Sequence, residues 1–183
     1  ISSSLIENVY VTTDDKCIQS LAEIAGASVI TRPPELSGDL VSSESALLHA
    51  LDYLEEINKL PSLIVFLQCT SPFTTPDQID LVVKPVLNGI CQSSFSVMPW
   101  HGFLWRRNGI GINHDPCKSR KRRQDLEPAF IETGAIYAMN VKPFREFRNR
   151  FCMPTMPVVI DAPGLEIDTE ADLHLCNFIY ASR

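Results

Sequence analysis

The chain has 183 residues, of which 45% are hydrophobic and 21% are charged, a composition typical of one globular domain with a sizeable core. Its formal net charge of −6 argues against a protein that coats nucleic acid. No apolar run approaches the ~20 residues that a membrane-spanning helix needs, so we expect no membrane partner.

The six cysteines form no C-x-x-C pair and show no zinc-binding spacing with the histidines. An even number of cysteines does not by itself imply disulfides. In a chain of this length and apolar content, reduced thiols and a cytoplasmic location are the expectation.

Apolar periodicity and capping signals predict strands that alternate with helices along the chain. The predicted strands cover 9–13, 28–30, 63–67, 94–98, 134–139 and 157–160. The predicted helices cover 17–25, 42–54, 75–87, 143–147 and 170–181. This alternation predicts an α/β sandwich with a mainly parallel sheet. Residues 100–125 interrupt it with a hairpin-like insertion, in which Asn108-Gly109 is a turn signal.

The segment 67–72, Leu-Gln-Cys-Thr-Ser-Pro, follows an apolar run that is bounded by prolines. That run predicts a buried, central strand, and ligands bind at the carboxyl ends of strands in open α/β sheets. Gln68 has an amide there, and Thr70 and Ser71 have hydroxyls. The segment is also compatible with an ordinary strand-terminating turn.

Two acidic side chains, Glu166 and Asp168, are two residues apart on a segment predicted to be extended. Because side chains alternate along extended backbone, both carboxylates point to one face and could share a cation. The alternatives are an acidic strand edge, or a helix cap formed by Asp168 and Thr169.

Five segments in order resemble the acylneuraminate cytidylyltransferases, also called CMP-sialic acid synthetases. The segments are 12–14, 32–33 with 42–43, 67–72, 123–126 preceding 134–137, and 166–172. The resemblance implies a three-layer sandwich of the nucleotide-diphospho-sugar transferase type, covering residues 1–183, with 100–125 as an inserted dimerisation arm. It also implies Mg²⁺-dependent transfer of CMP from CTP to a nine-carbon keto-acid sugar, release of pyrophosphate, and a homodimer.

The resemblance further implies roles for individual residues. Catalytic roles fall to Arg123 and Asp168, and metal binding to Asp168 together with Glu166, where the family has aspartate. Nucleotide contacts fall to Arg32 and Ser43. Sugar contacts fall to Gln68, Thr70, Ser71 and Tyr137. The alternatives are a surface charge for Arg32, a helix cap for Ser43, a core tyrosine for Tyr137, and a solvated basic run for Arg123.

The sequence departs from the family at its start. The glycine- and lysine-rich loop that holds the triphosphate in the family has no counterpart after Ile1. We therefore expect an N-terminally truncated cytidylyltransferase domain. The alternative is a non-catalytic homologue that keeps a sugar-binding or dimerisation role. In the predicted arm, Trp100, Phe103, Leu104 and Trp105 either pack on a second subunit or form a local aromatic cluster.

Overall fold

The computed structural model describes residues 3–161 and 164–182. Its strands are β1 (Tyr10–Thr13), β2 (Ser28–Thr31), β3 (Leu63–Leu67), β4 (Ser93–Trp100), β5 (Ala129–Asn140) and β6 (Thr155–Val159). Its α-helices are α1 (Lys16–Ile24), α2 (Ser43–Glu56), α3 (Pro76–Leu87), α4 (Val141–Phe147) and α5 (Glu170–Ala181). Short 3₁₀ helices cover Pro34–Leu36 and Arg123–Asp125.

The strands form two hydrogen-bonded sheets within the described part of the chain. Strands β1 and β2 pair in parallel, and a four-stranded sheet has the order β3-β5-β4-β6. In the larger sheet β3, β4 and β6 share one direction, and β5 runs antiparallel to both of its neighbours. The predicted α/β fold with a mainly parallel strand direction is confirmed.

Strand β3 departs from the prediction of a buried, central strand. In the described residues it pairs only with β5 and lies at the edge of the four-stranded sheet. Its first four residues are half-buried, and Leu67 is 42% exposed. An apolar run shows that both faces of a strand are covered, but it does not show whether both edges are paired. The prediction was therefore wrong about position.

The core consists of two apolar clusters on opposite faces of the sheet. Along β5, Ile136 and Ala138 belong to one cluster, and Tyr137 and Met139 belong to the other, as the two-residue alternation of a strand requires. Helix α3 contributes buried valines to the first cluster, whereas α2 and α4 contribute Leu51 and Phe144 to the second. The result is the predicted three layers of helix, sheet and helix.

An irregularity in the β4–β5 ladder shapes the sheet next to the candidate site. The register shifts between Phe95 and Val97, so that four residues of β5 lie opposite Ser96. The Ser96 hydroxyl and the Thr133 hydroxyl share a hydrogen bond of 2.6 Å, and the backbone N–H of Ile136 donates to Ser96 Oγ at 3.0 Å. This bulge contains Gly134 at φ +69°, so β5 bends where a strand would otherwise run straight.

Local signals set most helix starts as predicted. Asp15 caps α1, and capping boxes at Thr75 and Thr169 begin α3 and α5. The insertion turns at Gly109, where the backbone N–H of Arg106 donates to Ile110 O at 2.7 Å. Across residues 3–161 and 164–182, no helix combines the length and the apolar character needed to cross a membrane.

Candidate active site

Backbone hydrogen bonds bring the end of β3 against the acidic segment near residue 167. The N–H of Gln68 donates to Ala135 O at 3.2 Å, beside the bulge in β5. The N–H of Ile167 donates to Thr70 O at 2.9 Å. Residues that are about 100 positions apart in the sequence therefore lie side by side, and the two flanking acids are held next to the predicted sugar-binding turn.

The three predicted sugar contacts of this turn differ in exposure. The side chains of Gln68 and Thr70 are half-buried, and neither makes a side-chain hydrogen bond to any residue of the described chain. The Ser71 hydroxyl is buried and has no hydrogen-bond partner in that same part of the protein. Ser71 also lines a cavity of about 20 Å³, which has room for one water but not for a sugar. Their contacts with a sugar remain predictions.

Glu166 and Asp168 together are called the carboxylate rim below, and Glu166 lies against strand β5. Glu166 lies so close to Gly134 that a Cβ atom at that glycine would overlap its carboxylate. Burial raises the pKa of the Glu166 carboxyl, and the negative charges of Asp168 and Glu132 raise it further. The fold therefore holds like charges near one another, an arrangement that a cation would relieve.

Of the Asp168-Thr169 pair that was the capping alternative to a metal role, Thr169 forms the helix cap and Asp168 does not. The Thr169 hydroxyl accepts from the backbone N–H of Asp172 and so begins α5, and the exposed Asp168 carboxylate makes no hydrogen bond or ion pair among the described residues. In that part of the chain no three His, Cys, Asp or Glu side chains could hold a metal ion. Two carboxylates fit Mg²⁺ only where phosphate oxygens and waters complete its shell, which is its usual mode beside nucleotides.

Tyr137, on β5, is 4% exposed. Its hydroxyl donates a short hydrogen bond to Glu132 Oε1, and its ring stacks on Phe66 with 6.0 Å between centroids. Burial, together with the bond to Glu132, raises the pKa of Tyr137. Tyr137 is part of the core, as the alternative interpretation held, and its hydroxyl is directed toward the acidic side of the site.

Ser43 is not the cap of α2, because Ser42 accepts the hydrogen bond from the backbone N–H of Ser45. The Ser43 hydroxyl instead donates to Glu44 at 3.3 Å and accepts from the guanidinium of Arg150. This side chain, predicted on the nucleotide side, therefore connects to the sheet through Arg150.

Arg150 is the residue of this region that sequence reasoning missed. Its Nε donates to Glu44 Oε1 at 2.6 Å, and its guanidinium carbon lies 4.6 Å from the centroid of the Tyr137 ring and 5.3 Å from that of Phe66. No motif marks it, because Ser43, Glu44 and Phe66 lie far away in the chain and Tyr137 is on a different element, strand β5. Below, "arginine cluster" denotes Ser43, Glu44, Phe66, Tyr137 and Arg150.

Arg32 lies apart from the arginine cluster, directly after β2. Its guanidinium is 3.9 Å from Asp14 at the end of β1, and its Nε is buried without a partner in the described part of the chain. Its nearest acid is thus at the limit of an ion pair. No interaction among residues 3–161 and 164–182 joins Arg32 to Ser43, and its nucleotide role remains a prediction.

Arg123 lies in the insertion, on the 3₁₀ helix Arg123–Asp125. It borders an open pocket of about 460 Å³ that is also lined by Trp100, Phe103 and Arg120, with the Arg120 guanidinium 4.1 Å above the Phe103 ring. No described contact joins Arg123 to Asp168. The structure therefore does not bring the two predicted catalytic residues together, and the role of Arg123 remains a prediction.

Comparison with known proteins gives one family. The model of the cytidylyltransferase family matches residues 1–182. The chain is 31% identical over 144 residues to N-acylneuraminate cytidylyltransferase of Oncorhynchus mykiss, covering 75% of this chain and 32% of that protein. It is 26% identical over 181 residues to the enzyme of that name from Streptococcus agalactiae serotype V, covering 95% of this chain and 43% of that protein.

Solved structures show the same fold at low sequence identity. CMP:2-keto-3-deoxy-manno-octonic acid synthetase complexed with CTP aligns with a TM-score of 0.67 at 13% identity, covering 99% of this chain and 83% of that one. A 4-diphosphocytidyl-2C-methyl-D-erythritol synthase aligns with a TM-score of 0.68 at 8% identity, covering 98% and 83%. The chain spans less than half the length of the curated relatives it matches. With a family model that matches nearly its whole length, the chain belongs to the cytidylyltransferase family.

Proposed function

We propose that the full-length protein transfers CMP from CTP to a sialic-acid-like nonulosonate, a nine-carbon keto-acid sugar. The anomeric hydroxyl oxygen of the sugar attacks the α-phosphorus of CTP and loses its proton. The bond from that phosphorus to the β-phosphate oxygen breaks, and pyrophosphate leaves. N-acylneuraminic, legionaminic and pseudaminic acids are the candidate acceptors.

The observation that carries this proposal is the bond between the backbone N–H of Ile167 and Thr70 O at 2.9 Å. It places two acidic side chains, Glu166 and Asp168, at the turn that resembles the sugar-binding turn of the acylneuraminate cytidylyltransferases. The relatives of that name support the acceptor class, and the family membership supports CTP as donor.

The chemistry of each side chain suits it to a different part of the reaction. Gln68 and Thr70 have amide and hydroxyl groups suited to sugar hydroxyls. Glu166 and Asp168 would hold Mg²⁺ jointly with phosphate oxygens, and the bound ion would supply positive charge beside the leaving pyrophosphate. The hydrogen bond from the Tyr137 hydroxyl to Glu132 fixes the position of both side chains beside the proposed sugar position. Arg123 would stabilise negative charge if the insertion brings its guanidinium to the phosphates.

The insertion is also the proposed homodimer surface. Phe103 and Trp105 contact His114 edge-on, with ring centroids 4.9 and 4.5 Å apart, so part of the region is a local aromatic cluster. Trp105, Ile110 and Ile112 nevertheless remain about half exposed. Apolar exposure of this kind favours an interface between subunits. Sedimentation of the full-length protein should give a dimer, and Trp105→Ser should shift it toward monomer.

The test of the proposed activity is turnover of the full-length protein with CTP and Mg²⁺. Each candidate nonulosonate is supplied in turn, with 2-keto-3-deoxy-manno-octonic acid as an eight-carbon control, and pyrophosphate release is measured together with the ³¹P signal of the CMP-sugar. We expect release with at least one nonulosonate and a preference for CTP over UTP. No release with any acid sugar would overturn the activity, and retained binding of a nonulosonate would then favour the non-catalytic homologue.

A further inference from the structure

Arg150 is a junction between three parts of the fold. Its guanidinium bonds Ser43 and Glu44 at the start of α2, and it covers the faces of Phe66 on β3 and Tyr137 on β5. Only 14% of its side chain is exposed, and only 22% of that of Glu44. A guanidinium removed from water to this degree needs charged and aromatic partners, and the arginine cluster supplies both.

The partners of Arg150 have predicted roles on different substrates. Ser43 is predicted to contact the nucleotide and Tyr137 the sugar. The ring of Tyr137 is held by Arg150 on its face and by Phe66 in a stack, while its hydroxyl is bonded to Glu132. The Ser43 hydroxyl is held by the same guanidinium and by Glu44. One side chain thus sets the position of both predicted contacts.

We propose that Arg150 is a positioning residue of the transfer reaction, which holds Ser43 and Tyr137 in place together for the two substrates. The inference rests on the proposed function. It assigns Arg150 no contact with the reacting atoms. Its loss releases both predicted contacts at once, so the KM values for CTP and for the acid sugar should both rise, each by about tenfold, while kcat changes less.

Arg145, on α4 shortly before Arg150 in the chain, provides a matched control. Its guanidinium donates to Asp52 at 2.9 Å and to Glu55 at 2.8 Å, both on α2, and 26% of its side chain is exposed. Arg145 therefore links α4 to α2 through ion pairs without contacting Ser43 or Tyr137. If Arg150 served only to tether α2, Arg145→Gln and Arg150→Gln would lower the unfolding temperature alike and leave both KM values unchanged.

The experiment measures both KM values in the full-length protein for Arg150→Gln, Arg150→Lys and Arg145→Gln. We expect raised KM values in Arg150→Gln, partial recovery in Arg150→Lys because the charge returns without the planar fork, and wild-type values in Arg145→Gln. A double-mutant cycle of Arg150→Gln with Tyr137→Phe tests whether the two side chains act together on the sugar KM. The effect of Tyr137→Phe on the sugar KM should be smaller in the Arg150→Gln background than in wild type.

The outcomes separate this inference from the proposed function. A wild-type protein that releases no pyrophosphate overturns the function, and the positioning role falls with it. An active wild type with equal KM values in Arg150→Gln and Arg145→Gln, or with additive effects in the cycle, overturns the positioning role alone. If Arg150→Gln does not fold, Glu44→Gln is measured instead. It removes the charged partner of Arg150 but leaves the rings of Phe66 and Tyr137 in place. Unchanged KM values in Glu44→Gln contradict the inference.

Discussion

The arginine cluster and the carboxylate rim are both close to Glu132, but they differ in how their charges are balanced. In the arginine cluster, burial alone would raise the pKa of Glu44, but the hydrogen bonds and charge of Arg150 outweigh burial and lower it. In the carboxylate rim, burial and the charge of Asp168 raise the pKa of Glu166, and no cation bonds either carboxylate within the described residues.

The difference indicates which part of the site is complete in the protein alone. Groups with satisfied partners hold their geometry before any ligand binds, as a preorganised site requires. Groups of like charge without a partner favour the binding of a cation that balances them. We infer that the arginine cluster holds its geometry without a ligand. The carboxylate rim, in contrast, gains its balancing charge only when a cation binds. The following substitutions test that division.

The largest effect is expected from Asp168→Ala, which removes the exposed carboxylate of the rim. If this side chain helps to hold Mg²⁺, pyrophosphate release should fall by on the order of a hundredfold or more, because charge stabilisation by a metal is worth several kcal/mol. The unfolding temperature should not fall, since the carboxylate makes no described bond and its charge repels Glu166. Asp39→Ala, at another exposed acid, is the control. Equal turnover in the two variants would remove Asp168 from the metal site.

Gly134→Ala should disturb the rim while leaving the arginine cluster in place. At φ +69° a side chain is strained by about 1–3 kcal/mol, and the new Cβ also meets the Glu166 carboxylate. Gly26→Ala is the matched control, because Gly26 has φ +85° with open space around it and so reports the backbone strain alone. Chemical denaturation should show a larger loss for Gly134→Ala, and Glu166→Ala should recover the excess. No recovery would contradict the close contact.

The smallest effects are opposite pH dependences of stability for the two glutamates. The raised pKa of Glu166 means that the folded state disfavours its charge, so wild type loses stability as pH rises through that pKa. Glu166→Gln should therefore raise the unfolding temperature at pH 7, and this gain should shrink as pH falls. Thermal unfolding between pH 4 and 8 measures it.

For Glu44 the sign is reversed. Its lowered pKa gives wild type a stabilisation that is present above the ordinary value of 4.5 and is lost as pH falls through the folded value. Glu44→Gln should therefore lower the unfolding temperature at pH 7, with the two proteins converging in acid. If both variants changed the unfolding temperature at pH 7 in the same direction, the proposed difference in charge balance between the arginine cluster and the carboxylate rim would be wrong.

Much of the fold and of the rim could be predicted from the sequence, because the signals there are local. Apolar periodicity located the strands and helices, and short polar side chains located the starts of α1, α2 and α3. The spacing of Glu166 and Asp168 placed both acids on one extended segment. The cap of α2 is Ser42 rather than Ser43, one residue from the capping alternative, and of the Asp168-Thr169 pair only Thr169 caps α5.

The tertiary structure alone decided the position of β3 at a sheet edge, the bulge around Ser96 and the whole arginine cluster. Each depends on partners far apart in the chain, as in the bond from Arg150 to Glu44 across 106 positions. A sequence pattern reports which surfaces a segment must bury within a few turns, whereas the partner of a charge is chosen when the layers pack. The sequence by itself determined the alternating elements and the polar strand end. Packing determined which polar groups have a partner within the described protein and which do not.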